Sequence, residues 1–342
     1  MSGVGYTTVH DEEEGLRDPR GWGVGCDKAR PEGGPSGAAG HDRGRVLCYL
    51  SSYAFRRSNR MPNSPTRVPR MILNFTGRCN MACPYCYVPF DGSKVDSKTT
   101  RSVVKAILAF APDSITFGGG DPFMFEFFPE LLLMASIQGP FIQVDTNAKC
   151  LETRHVPLLE EHVDLLGLPL DGSTPDIHGK MRRDSSHFST VMRWVDRLQD
   201  KSVALKVNTV VSKINRHDIL SIGNLLTKRK IARWSLYQFW PMADGLVNSE
   251  LYDISDADFI ETTTRVTAEC PKLRIECGTV ASRSPSYVFV THDGTAYTVD
   301  PRDRRLYIRV GSVFDDKLTT LLEPFVDYTV QGNRIRARIA NE

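Results

Sequence analysis

From residue 71 onward, short strand-like runs alternate with helical ones, and this alternation constrains the fold more than any other feature. Strands are expected at 71–76, 114–117, 141–145, 163–168, 203–211 and 233–239, with helices between them that include 98–110, 188–199 and 218–227. Six β/α units in succession call for parallel strands joined by right-handed crossovers, either an open doubly wound sheet or a barrel. The period-2 pattern within the strands separates the two. Ala204, Lys206, Asn208 and Val210 share one strand face, as do Arg233, Ser235, Tyr237 and Phe239, then Gln143, Asp145 and Asn147, then Asn74 and Thr76. A parallel sheet covered on both faces reads as almost continuous apolar residues. Polar side chains at alternate positions on several strands instead describe a lumen lined for binding. The expected fold is therefore α/β, a partial (β/α)6 barrel of parallel strands spanning residues 67–245.

The rest of the chain divides around that unit. Residues 246–342 carry a helix expected at 255–267 with Ser255 as its N-cap, strands at 286–291, 295–299 and 305–310, and a final helix at 318–322. This is expected to be a small α+β extension covering the barrel mouth. Residues 1–66 hold glycine- and proline-rich stretches such as 30–40 and no sustained apolar period. Such composition buries too little surface to offset chain entropy, so this low-complexity segment is expected to be disordered. Arg56, Arg57, Arg60, Arg67 and Arg70 form a local basic run at its end, read as a solvated linker face.

Composition excludes several classes. The 342 residues carry 43 Lys plus Arg against 41 Asp plus Glu, so no global charge favours nucleic acid or an anionic membrane. The longest apolar stretches, such as 131–134, are far shorter than the roughly 20 residues of a membrane span. Asp11, Glu12, Glu13 and Glu14 stand where a secretory signal would place a basic start and an apolar run. A cytoplasmic location is expected.

Eight cysteines in a chain of this length do not make a disulfide framework. Three of them, Cys79, Cys83 and Cys86, fall within eight residues in CxxxCxxC spacing directly after the first strand. Three thiolates on a short loop can bind three irons of a cubane cluster and leave the fourth open to a ligand. Structural zinc would want four closed ligands, and the nearest histidines, His41 and His155, are distant in sequence. Zinc binding and a simple group of buried or redox-sensing thiols remain the alternatives at this point. Cys270 and Cys277, too few for a second cluster, are expected to be packing or surface thiols.

The CxxxCxΦC run with an aromatic Tyr85 resembles the signature of radical S-adenosylmethionine (SAM) enzymes. The resemblance implies a [4Fe–4S] cluster on Cys79, Cys83 and Cys86, with S-adenosyl-L-methionine chelating the unique iron. One electron then cleaves the sulfonium and yields a 5′-deoxyadenosyl radical that abstracts hydrogen from substrate. It also implies an external electron donor such as flavodoxin or ferredoxin. Phe117-Gly-Gly119-Gly120-Asp121-Pro122 resembles the Gly-Gly-Glu-Pro segment that binds the methionine amino group, with Asp121 in place of Glu. Asp145-Thr-Asn147 resembles the ribose-contacting segment. The run from Asp171 to Arg182 resembles the segment after the fourth strand, whose arginine pairs with the cofactor carboxylate, and Asn208 matches a contact to the same carboxylate. Phe239 is expected in the cofactor site with Tyr85.

A narrower resemblance covers 193–299, where runs starting at Lys206, Ala232, Ile254 and Ser286 are similar to viperin and its prokaryotic relatives, which dehydrate the ribose of a nucleoside triphosphate. There Lys206 and Arg233 match cations of the triphosphate site, and Ser235 stands where viperins carry a lysine. Tyr237 is expected beside them. A lysine inside a barrel must meet an anion or water, so Lys206 is expected to face either a substrate phosphate or an internal carboxylate such as Asp145 or Asp171. The expected substrate is a small molecule, a nucleotide, sugar nucleotide or related metabolite, with no nucleic-acid or membrane partner. Maturation of a ribosomal peptide is the alternative enzymatic reading, and a non-enzymatic iron–sulfur or zinc protein the alternative from another class.

Overall fold

The computed structural model of the protein describes residues 68–339. Expectations for 1–66, including Arg56, Arg57 and Arg60, lie outside the described residues, as does Arg67.

The strands are β1 (Arg70–Asn74), β2 (Ser114–Gly118), β3 (Phe141–Asp145), β4 (Leu165–Pro169), β5 (Ala204–Val211), β6 (Arg233–Gln238), β7 (Ile275–Gly278), β8 (Phe289–Thr291), β9 (Thr295–Val299) and β10 (Tyr307–Ser312). They form one sheet in the order β10-β9-β8-β1-β2-β3-β4-β5-β6-β7. Strands β1 to β6 lie side by side in chain order, all parallel. The sheet does not close: β7 is one edge and β10 the other, which is the partial barrel expected from the alternating polar lining.

The crossover helices are α1 (Ser97–Ala109), α2 (Phe128–Ile137), α3 (Val156–His162), α4 (Pro175–Arg182), α5 (Ser186–Leu198) and α6 (Ile219–Leu226). In α1, Asp96 caps the first turn by accepting the Thr99 N–H, and Thr100, Val103, Val104 and Ile107 form the buried stripe at helical spacing. Helix α5 buries Val191, Met192, Trp194, Val195 and Leu198 in the same way. The outward strand residues Leu73, Phe117, Val144, Leu166 and Val207 complete this core between sheet and helices. Beyond β6, α7 (Asp256–Glu269) begins at the expected cap, Ser255 accepting the Asp258 N–H. Helices α8 (Leu318–Leu322) and α9 (Tyr328–Ile339) end the described chain.

The structure departs from the sequence-based expectation in three places. The extension adds strands to the barrel sheet: β7 continues it in parallel beyond β6, and β8 pairs in parallel with β1, with β9 and β10 antiparallel beyond it. Strand β7 was not expected, because four residues, Ile-Glu-Cys-Gly, carry too little period-2 signal. Nor was α9, whose arginine-rich sequence with an internal Gly332 lacks an apolar stripe; α8 is therefore not the last helix. Third, Arg70 is no solvated linker residue. It opens β1 and is buried, its guanidinium on the Thr116 hydroxyl at 3.0 Å and over the Tyr287 ring. Among the described residues no helix is long and apolar enough to cross a membrane.

Candidate active site

The three cysteines lie in the loop between β1 and α1, at the carboxyl edge of the sheet where barrel folds place their chemistry. The loop is tied down by the last residue of the barrel unit and by the extension. The Gly245 N–H donates to the Cys86 carbonyl at 3.1 Å, the Asn248 amide to the Pro84 carbonyl at 3.0 Å, and the Tyr307 hydroxyl to the Tyr87 carbonyl. Burial, and then the neighbouring Cys83, pushes the Cys79 thiol up to about 12 and the Cys86 thiol also well above the ordinary thiol range. A cation bound to the sulfurs reverses that preference, because a coordinating thiol gives up its proton. Among the described residues no three His, Cys, Asp or Glu side chains gather in a way that would hold a single metal ion. Three sulfurs on one short loop are a donor set that can serve three irons of a cubane cluster.

Around the loop, each β-strand end contributes a part. After β2 the chain turns through Gly119 (φ 70°) and Gly120 (φ 112°), both in the region glycine alone adopts easily. A Cβ on Gly119 would fall 2.4 Å from Asn74 Oδ1, and one on Gly120 2.3 Å from Thr76 and 2.8 Å from the Arg78 carbonyl, so the backbone here approaches β1 more closely than any side chain permits. Asp121 follows, fully buried. Its carboxyl accepts the Phe123 N–H and the Thr146 hydroxyl, both at 2.9 Å, and burial pushes it up to about 6. It is thus engaged with the protein in this structure. After β3, the Asn147 amide donates to Asn80 Oδ1 at 2.7 Å and reaches the Cys79 sulfur at 3.6 Å.

After β4, Asp171 is buried at the centre of a knot. Its Oδ2 accepts from Arg182 Nε and from the Tyr85 hydroxyl, each at 2.6 Å, and its Oδ1 accepts the Val210 N–H. The Arg182 guanidinium lies over the Tyr85 ring and 3.8 Å from the Cys83 sulfur. The nearby Asp171 carboxylate raises the Arg182 pKa, although burial alone would lower it. Tyr85, Asp171, Arg182 and a cluster cysteine, four residues expected on one site, are brought together. Phe239 is buried just beyond β6 with its ring against Tyr252.

The lumen floor holds the polar strand residues. Asp145 accepts from the Gln143 amide and from Asn208 Nδ2 at 3.0 Å. Among the described residues two buried side-chain oxygens have no partner: Oδ1 of Asn208 and Oδ1 of Asn74, whose own amide nitrogen is bonded to the Tyr297 hydroxyl. Buried acceptors without donors are costly unless a ligand or water supplies one. These orphans, with the glycine turn and the three thiols, fit a bound group that brings amino and hydroxyl donors. As placed, Asn208 presents an acceptor, not the donor that a cofactor carboxylate would need.

The expected substrate residues separate. Lys206 is 1% exposed and bonds the Tyr237 hydroxyl at 2.9 Å. Neither of the carboxylates considered for it pairs with it, Asp145 being held by Gln143 and Asn208, and Asp171 by Arg182 and Tyr85. Arg233, at the opposite end of β6, turns instead to Glu276 on β7, 3.8 Å away, which also meets Arg334 and Ser235. A different cation takes its place beside Tyr237. Arg283, 5% exposed, stacks on the Tyr237 and Trp240 rings, 5.1 and 4.8 Å from their centroids, and donates to the Gln238 and Thr279 carbonyls. Arg283, Glu276 and Tyr297 were missed from the sequence. They come from the extension, and no spacing signal links them to β5 or β6.

Residues 73–226 match the Radical SAM superfamily. The chain is 26% identical over 208 residues to the Fe-coproporphyrin III synthase of Methanosarcina barkeri, covering 57% of this chain and 52% of that protein. It is 24% identical over 227 residues to an S-adenosylmethionine-dependent nucleotide dehydratase of Lacinutrix mariniflava, covering 61% and 47%. The chain thus spans about half the length of these two relatives. Solved structures of Streptococcus suis SuiB share the fold: bound to precursor peptide SuiA, with TM-score 0.62, 12% identity and 89% and 74% of the two chains covered, and bound to S-adenosylmethionine, with TM-score 0.60, 13% identity and 79% and 68% covered. The cysteine loop, the glycine turn and the strand-end residues Asn147, Asp171, Arg182 and Asn208 all lie within residues 73–226, the part of the chain that is similar to the radical S-adenosylmethionine superfamily.

Proposed function

We propose that this chain is a cytoplasmic radical SAM enzyme acting on a small phosphorylated substrate, a nucleotide or sugar nucleotide. The observation that carries the substrate class is the pair Lys206 and Arg283. Both are buried, both converge on Tyr237, and neither is paired with a carboxylate among the described residues. Buried cations in that state call for an anion from outside the protein. The similarity to a nucleotide dehydratase supports the same reading. Arg233, matched to a viperin cation, is spent on Glu276, so two cations rather than a larger set are available and a mono- or diphosphate suffices.

In this reading Cys79, Cys83 and Cys86 hold a [4Fe–4S] cluster. The Gly119–Gly120 backbone, Asp121, Asn147, Asp171, Arg182, Asn208, Tyr85 and Phe239 form the SAM site. When bound, the pair supplies a 5′-deoxyadenosyl radical on reduction by an external donor such as flavodoxin or ferredoxin. The protein's own residues do the rest: Arg182 places positive charge beside the cysteine loop, and the glycine turn admits a ligand close to the backbone. The extension, tied to the loop through Asn248 and Tyr307, closes the mouth and keeps water out. The test is anaerobic reconstitution, about four irons being expected, then a screen of nucleotides and sugar nucleotides for stimulated 5′-deoxyadenosine release. Stimulation only by a neutral compound or a peptide overturns the substrate class, and failure to bind iron overturns the whole reading.

A further inference from the structure

Behind the site, two histidines that no part of the proposed chemistry uses are buried against each other. His178 sits on α4 and His187 on α5, both essentially inaccessible. The Asp171 N–H donates to His178 Nδ1 at 3.2 Å, His178 Nε2 meets His187 Nδ1 at 2.8 Å, and His187 Nε2 meets the Asn147 carbonyl at 2.6 Å. A backbone N–H can only donate and a carbonyl can only accept, so the protons are determined throughout. His178 carries its proton on Nε2 and gives it to His187, which carries its own on Nε2 and gives it to Asn147. The chain closes only with both rings neutral.

Its two ends are the point. One is the backbone of Asp171, whose carboxylate orients Arg182 and Tyr85. The other is the backbone of Asn147, whose amide lies against Cys79. The rings therefore brace the carboxyl ends of β3 and β4 at a set separation. The brace is built closely. A Cβ on Gly172 would fall 2.3 Å from the His178 nitrogen, and Arg183 takes a left-handed φ of 57° to swing the chain from α4 into α5. The charged groups facing the rings are Arg182, which opposes their protonation, and Asp184, which favours it and is itself held by Lys149.

We propose that His178 and His187 are positioning residues that set Asn147 and the Asp171–Arg182 pair for cofactor binding without touching the cofactor. The inference rests on reading these segments as the SAM site. Outer partners that orient a binding group typically change affinity 10–100-fold when removed. His187→Leu should fold, at some cost in stability, and keep its iron content, yet bind SAM at least about tenfold more weakly. It should also lose most of the change that SAM causes in the electron paramagnetic resonance spectrum of the reduced cluster. His187→Gln, which retains one acceptor and one donor, should restore most of both. If His187→Leu does not fold, the double variant His178→Leu/His187→Leu, which removes the His178 Nε2 proton together with its acceptor on His187, takes its place with the same expectation. Nitrogen-15 imidazole shifts of the oxidised wild-type protein give a reading independent of any variant: both rings neutral with the proton on Nε2. Wild-type SAM affinity in a folded Leu variant, or an Nδ1 proton on either ring at neutral pH, overturns the proposal. A wild-type protein that binds iron but no SAM would instead overturn the site assignment on which it rests.

Discussion

Arg182 Nε lies 2.6 Å from Asp171 Oδ2 in a wall of the site where the carboxylate has no access to water and the guanidinium almost none. The same guanidinium is 3.8 Å from the Cys83 sulfur, so one ion pair is shared between the stability of the fold and the electrostatics of the cysteine loop. Removing one member of a buried pair leaves the other charge uncompensated, which typically costs about 3–5 kcal/mol. Arg182→Ala should therefore destabilise the protein by about that amount in denaturant unfolding. Adding Asp171→Asn should recover a large part of the stability but not SAM binding.

The glycine turn offers a second test. Gly120→Ala would combine a strained φ of 112° with a methyl group 2.8 Å from the Arg78 carbonyl, immediately before Cys79. Strain of this kind costs about 1–3 kcal/mol. The variant should lose that much stability and reconstitute less iron, whereas Gly118→Ala, whose nearest neighbour would be 3.7 Å away, should do neither.

Acid should destabilise the protein through the two histidines. Burial pushes both His178 and His187 down to about 3 in the folded state, against an ordinary value near 6.5. Between those values the unfolded chain binds protons that the folded chain refuses, so stability rises with pH across the window and is lost as pH falls through it. Asp121, raised to about 6, acts in the opposite sense between its ordinary value and 6, because there the folded state holds the extra proton. Two groups outweigh one, and the net slope from pH 4 to 6 should be on the order of 1 kcal/mol per unit. Unfolding measured across this range should show the slope shrink in His178→Leu/His187→Leu.

The cationic pair predicts a contrast in kinetics. Lys206→Met and Arg283→Met should each raise the Michaelis constant for the phosphorylated substrate about tenfold or more, the range for charged hydrogen bonds of about 1.5–3 kcal/mol. Arg233→Met should act mainly on stability, since its partner is Glu276. Equal kinetic effects of Arg233→Met and Arg283→Met would show that the phosphate lies on the Arg233 side.

The sequence made the barrel legible because period-2 alternation is a local property of each strand. Strand 141–145 agrees with β3 residue for residue, and the polar faces expected on β3 and β5 do meet, as Asp145 and Asn208. The capping of α7 by Ser255 was equally local. Strand β7 and helix α9 were not legible, since neither carries a repeating apolar signal.

Residue type and spacing by themselves determined that three thiols share one loop at a strand end, that six parallel strands follow in order, and which face of each strand looks inward. Only the tertiary structure decided what those inward residues meet. Arg233 and Lys206 share a strand face in register, yet one finds Glu276 on a strand the sequence did not announce and the other finds Tyr237 and, across it, Arg283. The physical reason is that periodicity sets the direction of a side chain, whereas its partner depends on which distant segment is packed opposite. For buried charges that packing decides whether a cation is neutralised within the protein or left to bind an anion from outside.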